Sequence, residues 1–107
     1  MKYYCFTQNN SGGDFEYFPE KGISEYVIIE ALDSISANNK AIEIGIYFDG
    51  CQSGIDCDCC GDRWYEVEES DGKEVPSIYG KALESDSFTE NCYVHYLDGS
   101  FKEFKRK

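Results

Sequence analysis

Ser24-Glu25-Tyr26-Val27-Ile28-Ile29-Glu30-Ala31, continued by Leu32-Asp33-Ser34-Ile35-Ser36-Ala37-Asn38-Asn39-Lys40-Ala41-Ile42-Glu43-Ile44-Gly45, is the best-formed unit in the sequence. Its first part has the β-branched centre of a buried strand. Asp33 or Ser34 is placed to cap a short helix running to about Ile44, and Gly45 sits where a C-terminal cap belongs. At helical spacing Ala37, Ala41 and Ile44 share one face, while Asn38, Asn39, Lys40 and Glu43 point mostly outward. Ile46-Tyr47-Phe48 then leads the chain back towards a sheet. Strand, capped helix and return imply an α+β domain.

Working outward, residues 2–8 have strand composition, with Cys5 read as a small buried hydrophobe. Asn9-Asn10-Ser11-Gly12-Gly13 is a turn whose residues tolerate positive φ, and it joins the first strand to a second over Asp14–Phe18 as a hairpin. The same exposed amides, hydroxyl and glycines could cradle an anion, although the lysine and spacing of a P-loop are missing. Pro19–Gly22 breaks the chain. Downstream, Arg63–Glu68 alternates like a strand and Glu69–Glu74 is a polar turn. Pro76 keeps Val75–Tyr79 off a central position. Residues 80–90 read as irregular. Asp98-Gly99 between Cys92–Leu97 and Ser100–Phe104 is a strong hairpin signal. The fold expected is α+β: a small antiparallel-rich sheet with one short helix and a cysteine-rich zinc-binding loop.

The totals bound the rest. One hundred and seven residues suit a single domain, and nine Tyr, seven Phe and one Trp agree with a strand-rich one. Twenty-one acids against ten bases give a net charge of −11, which repels phosphate backbones and argues against direct nucleic-acid binding. Such a surface suits a basic partner or a mimic of nucleic acid; solubility alone is the plainer explanation. Met1–Tyr4 runs straight into a strand-like segment rather than a signal peptide, and no apolar run is long enough for a membrane helix. A cytoplasmic setting follows as an expectation, and with it reduced thiols.

Four of the six cysteines lie in Cys51-Gln52-Ser53-Gly54-Ile55-Asp56-Cys57-Asp58-Cys59-Cys60. Cys57 and Cys60, followed by Gly61, have the C-x-x-C-G spacing of a zinc knuckle. Cys51, His95 and Cys59 are the next candidate ligands, and Cys92 the last. Cys92-Tyr93-Val94-His95 offers C-x-x-H spacing, but in a regular strand those two side chains face opposite ways. A thiolate-filled shell would make the metal structural. Thioredoxin-like chemistry fits poorly, because Asp56, Asp58 and Asp62 raise the pKa of neighbouring thiols. With one histidine and no nucleophile elbow, catalytic constellations are thin, and the acids between Asp49 and Glu74 do not follow the EF-hand spacing.

The run Gly45–Cys51, the core Asp56-Cys57-Asp58-Cys59-Cys60-Gly61-Asp62-Arg63-Trp64, the upstream Gln8–Gly13 and the downstream His95–Gly99 together resemble a family of small uncharacterised proteins of tailed bacteriophages. The resemblance covers most of the chain and implies a protein made in the cytoplasm of an infected bacterium. It implies no activity. The leading expectation is a non-enzymatic acidic protein that binds and inhibits a basic host protein, foremost an antiviral defence component. A second is a sponge for a nucleotide-like signal, with Asn9, Asn10, Ser11, Gly12, Arg63 and Trp64 as contacts; in the strand setting Trp64 fits the core better. A third is a small metal-dependent enzyme.

Overall fold

A computed structural model of the chain describes residues 1–9, 17–50, 62–78, 81–82 and 92–104. Six strands and one helix follow in order: β1 (Lys2–Thr7), β2 (Tyr26–Ala31), α1 (Ser34–Ile44), β3 (Ser77–Ile78), β4 (Lys81–Ala82), β5 (Cys92–His95) and β6 (Phe101–Phe104). Four strands make one sheet in the order β1-β2-β5-β6, and β3 and β4 form a separate two-stranded ribbon.

α1 has the expected bounds, because both of its ends are written locally. Asp33 is the N-cap, its carboxylate accepting the Ser36 N–H at 2.8 Å, and Gly45 closes the helix in the left-handed region at φ 116°. A second carboxylate reaches the same terminus from far along the chain: Glu69 accepts the Ser34 N–H. Ser34, Ala37 and Ala41 are buried and Ile44 is half-buried, so the small-residue face lies against the sheet.

The sheet is antiparallel-rich, as expected, but mixed. β1 with β2 and β5 with β6 are antiparallel, but β2 and β5 run parallel in the register Tyr26↔Cys92 to Ile29↔His95. Parallel neighbours need a long crossover, and residues 32–91 supply it. β1 pairs along its whole length with β2, where the sequence suggests a hairpin with Asp14–Phe18. Residues 14–16 lie outside the described residues, and Phe18 instead bridges Ile23.

Arg63–Glu68 is not a strand. A side chain of α1 stands in for the missing neighbour: Asn38 Nδ2 donates to the Val67 carbonyl at 3.0 Å, and the Val67 N–H donates to Asn38 Oδ1 at 2.9 Å. The Asn38 amide thus copies the donor–acceptor pair of a peptide, which is why this residue is half-buried rather than pointing outward. The Cys92–Phe104 hairpin forms as expected, with a loop one residue longer than Asp98-Gly99 alone. The Gly99 N–H donates to the Tyr96 carbonyl, the Tyr96 N–H to the Ser100 carbonyl, and Gly99 takes φ 94°.

Each sheet face carries a core of its own. Tyr4, Phe6, Val27, Ile29, Ala37, Ala41, Ile46, Trp64 and Val67 share the helix-side core. Tyr26, Ile28, Cys92 and Val94 form the core of the opposite face, with Tyr3, Cys5 and Tyr96 packed against it.

Candidate functional site

Two of the sequence-derived candidates, Asn9 and Arg63, meet just ahead of β2. Gln8, just past β1, donates its amide to the Ser24 carbonyl at 3.1 Å and accepts the Arg63 guanidinium Nη1–H at 2.8 Å. Asn9 receives its position from two bonds: its N–H donates to the Arg63 carbonyl at 2.8 Å and its amide to the Asp62 carbonyl at 3.2 Å. The first candidate loop therefore leaves the sheet beside the residue at which the cysteine stretch returns. Asn10, Ser11 and Gly12 lie outside the described residues, as do Cys51, Cys57, Cys59 and Cys60.

Arg63 and Trp64 take interior places. Arg63 is only 9% exposed and Trp64 1%, the latter among the largest fully buried side chains. Neither is presented as a surface contact for a ligand or partner. The reason lies in the packing: Trp64 belongs to the core that α1 shares with β1 and β2, and Arg63 extends its guanidinium to Gln8. Two of the expected ligand residues thus take supporting places in the interior.

His95 and Cys92 separate as strand alternation requires. His95 lies on the helix side, 2% exposed, with its ring 5.0 Å from that of Phe101. Its Nε2 is 2.8 Å from the Gly22 carbonyl oxygen. A carbonyl can only accept, so the proton is on Nε2 and Nδ1 carries the lone pair. Burial pushes the imidazole pKa below its ordinary value, with Lys40 adding to the effect and the Gly22 bond opposing it, so the ring is neutral at neutral pH. Cys92 is fully buried on the other face, and burial pushes its thiol far up; Cys5, half-buried nearby, is raised to about 11 for the same reason. The Cys92–His95 pair cannot hold one metal. Among the described residues no group of three or more His, Cys, Asp or Glu side chains comes together in a way that could hold a metal ion.

The family model described as a domain of unknown function (DUF7296) matches residues 1–107. The chain belongs to that family. No curated protein and no solved structure matches it. No helix among the described residues is long and apolar enough to cross a membrane.

Two features of this family member escape sequence reading. The first is a fixed acidic ridge over residues 66–74. The Lys73 backbone bridges Tyr3 at the outer edge of β1 with N–H···O bonds of 2.8 and 2.9 Å, and Asn38 holds Val67. Tyr4 Oη donates to Glu69 Oε2 at 3.2 Å. The Ser34 N–H keeps the Glu69 carboxyl below its ordinary range, and the Ser36 N–H does so for Asp33. Glu66, Glu68 and Glu74 project from this anchored segment into solvent. The second is a cleft of about 320 Å³ beyond the carboxyl ends of β2 and β5, with Glu30, Lys40, Glu43 and Tyr96 among its lining. Contacts such as Glu69 to Ser34 span 35 residues and leave no local trace in the sequence.

Proposed function

We propose that the chain is a non-enzymatic acidic binding protein of phage type, one that engages and inhibits a basic host protein, foremost an antiviral defence component, in the manner of a nucleic-acid mimic. The observation that carries this reading is the anchored ridge. Its backbone is tied to β1 and α1 while Glu66, Glu68 and Glu74 stand in solvent, so the main chain that carries these charges needs no ordering when a partner binds. The net charge of −11 adds long-range attraction for a basic surface. Immobilised protein is expected to retain a host protein from bacterial extract at low ionic strength and to release it at high salt. Glu66→Lys, Glu68→Lys and Glu74→Lys together are expected to abolish capture without lowering thermal stability. Capture indifferent to both salt and charge reversal refutes this reading.

A structural zinc belongs to the same proposal, with Cys57 and Cys60 as first ligands and Cys51 and Cys59 as the next. Bound there, it would cross-link a loop whose exit, Asp62–Trp64, is already fastened to Asn9 and to the core. Native mass spectrometry with and without a chelator tests it: a one-zinc increment lost together with thermal stability is the expected result. Six free thiols with no metal would discard it.

The second reading, sequestration of a small nucleotide-like molecule, draws on the cleft at the carboxyl ends of β2 and β5, a common place for ligands in sheets with parallel strands. Glu30 and Glu43 beside Lys40 favour an amino-bearing ligand over a bare phosphate. Mass spectrometry of small molecules released on denaturation after incubation with cell extract separates this reading from the first.

A further inference from the structure

The helix-side face of the sheet is only half covered by α1. Four strands about 4.8 Å apart present a face wider than a single helix of about 10–12 Å can cover. α1 packs on β2, and its core reaches β1. On the β5/β6 half of the same face, alternation places Tyr93, His95, Phe101 and Glu103, and the short Tyr17–Gly22 segment lies against them.

An aromatic surface remains open there. Tyr17 is 52%, Phe18 36% and Phe101 41% exposed. The rings are linked through Tyr93, whose centroid lies 6.4 Å from that of Tyr17 and 5.8 Å, edge-on, from that of Phe101. The Glu103 carboxylate accepts the Tyr17 hydroxyl at 3.0 Å within the same surface. In the same Tyr17–Gly22 segment, the Lys21 ammonium stands 5.3 Å from the centre of the neighbouring Phe18 ring, a cation–π contact within the chain.

We infer that the exposed rings of Tyr17 and Phe101, joined through the buried Tyr93, together with the Glu103 carboxylate, form the docking surface for an arginine-bearing segment of the basic protein partner. The inference rests on the reading of the chain as an acidic binding protein and names where the partner's side chains land. Rings of this kind accept cations on their faces, and arginine suits them better than lysine. Its planar guanidinium stacks flat on an aromatic ring while its N–H groups reach a carboxylate, whereas an ammonium is a strongly hydrated point charge. Exposed aromatics anchor interfaces because they bury large area at small entropic cost.

The test uses arginine and lysine homopeptides of equal length, titrated against the full chain at one moderate salt concentration with fluorescence anisotropy as readout. The arginine peptide is expected to bind several-fold tighter. Phe101→Leu keeps the aliphatic packing against His95 and removes the ring; it is expected to weaken the arginine peptide about threefold and leave the lysine peptide unchanged. Tyr17→Leu added to it should widen the loss to about tenfold, with circular dichroism confirming an intact fold. Equal binding of the two peptides, or a doubly substituted chain that keeps the arginine preference, overturns the docking surface while the charge-led reading stands. If the unaltered chain binds neither peptide, both fall.

Discussion

On the β1/β2 half of the helix-side face, Tyr4, Phe6, Val27 and Ile29 share one core with Ala37 and Ala41 of α1 and with Trp64, and none of the seven is more than 1% exposed. On the β5/β6 half, Tyr93 and His95 are nearly as well buried, but Phe101 is 41% exposed. The alternation along the strands is the same in both places. The difference is the cover: a capped helix with an indole beside it on one side, a short segment closed by a single 3₁₀ turn on the other. Strand pattern says which face a side chain takes, and only the layer above decides whether that face is interior or surface.

The comparison breaks first at its largest expected effect. Trp64→Ala opens a cavity in the fully covered half and is expected to cost about 3–5 kcal/mol, against about 1 kcal/mol for Phe101→Ala, where solvent already reaches the ring. Denaturant unfolding of the two variants measures both, and equal losses would show the two halves to be equivalent. Gly22→Ala comes next. A Cβ there would lie 2.7 Å from the His95 ring on a residue at φ 71°, so strain and collision add to about 2–4 kcal/mol. Gly99→Ala, at φ 94° with nothing within 4 Å of the new carbon, isolates the backbone part at about 1 kcal/mol, and the gap between the two melting temperatures reports the clamp on His95.

Asn38→Ala removes both bonds to Val67 on the covered half. It is expected to cost about 1–2 kcal/mol and to speed hydrogen exchange at the Val67 amide. The smallest effect is acid sensitivity of the open half. His95 has a folded pKa below its unfolded value, so the unfolded chain binds the proton more tightly. Its stabilising contribution is complete above the unfolded pKa of about 6.5 and is lost as pH falls below that towards the folded value. A melting-temperature profile should therefore decline below about pH 6.5, and His95→Gln should flatten that decline. Asp33, Glu69 and Asp98, all held low by N–H donors or a hydroxyl, act in a separate and more acid window.

Much of the fold was legible because its signals are short-range. The Val27-Ile28-Ile29 centre, the Asp33 and Gly45 caps and the Asp98-Gly99 hairpin each depend on residues within a few positions of one another, and all appear where the sequence places them. Arg63–Glu68 misled because its composition is strand-like but its burial does not alternate: Arg63, Trp64 and Val67 are buried while Tyr65, Glu66 and Glu68 are exposed, and the strand-like hydrogen-bonding partner is the Asn38 side chain rather than another strand. The candidate site divides in the same way. Composition marked Asn9 and Arg63 as polar residues of consequence, and the structure joins them through Gln8 and the Asp62–Arg63 backbone in a supporting role.

By itself the sequence determined a strand, a capped helix and a closing hairpin, an acidic balance, a clustered set of thiols and the opposed directions of Cys92 and His95. Each follows from local dihedral preference, side-chain chemistry or the two-residue period of a strand. Tertiary structure alone decided that β2 and β5 run parallel, that Glu69 reaches the N-terminus of a helix 35 residues away in the chain, and that Phe101 is left in the open. Those outcomes depend on which surfaces meet after the elements have formed. Pairing direction and cover are settled by the burial of whole faces, and no short stretch of residues carries that information.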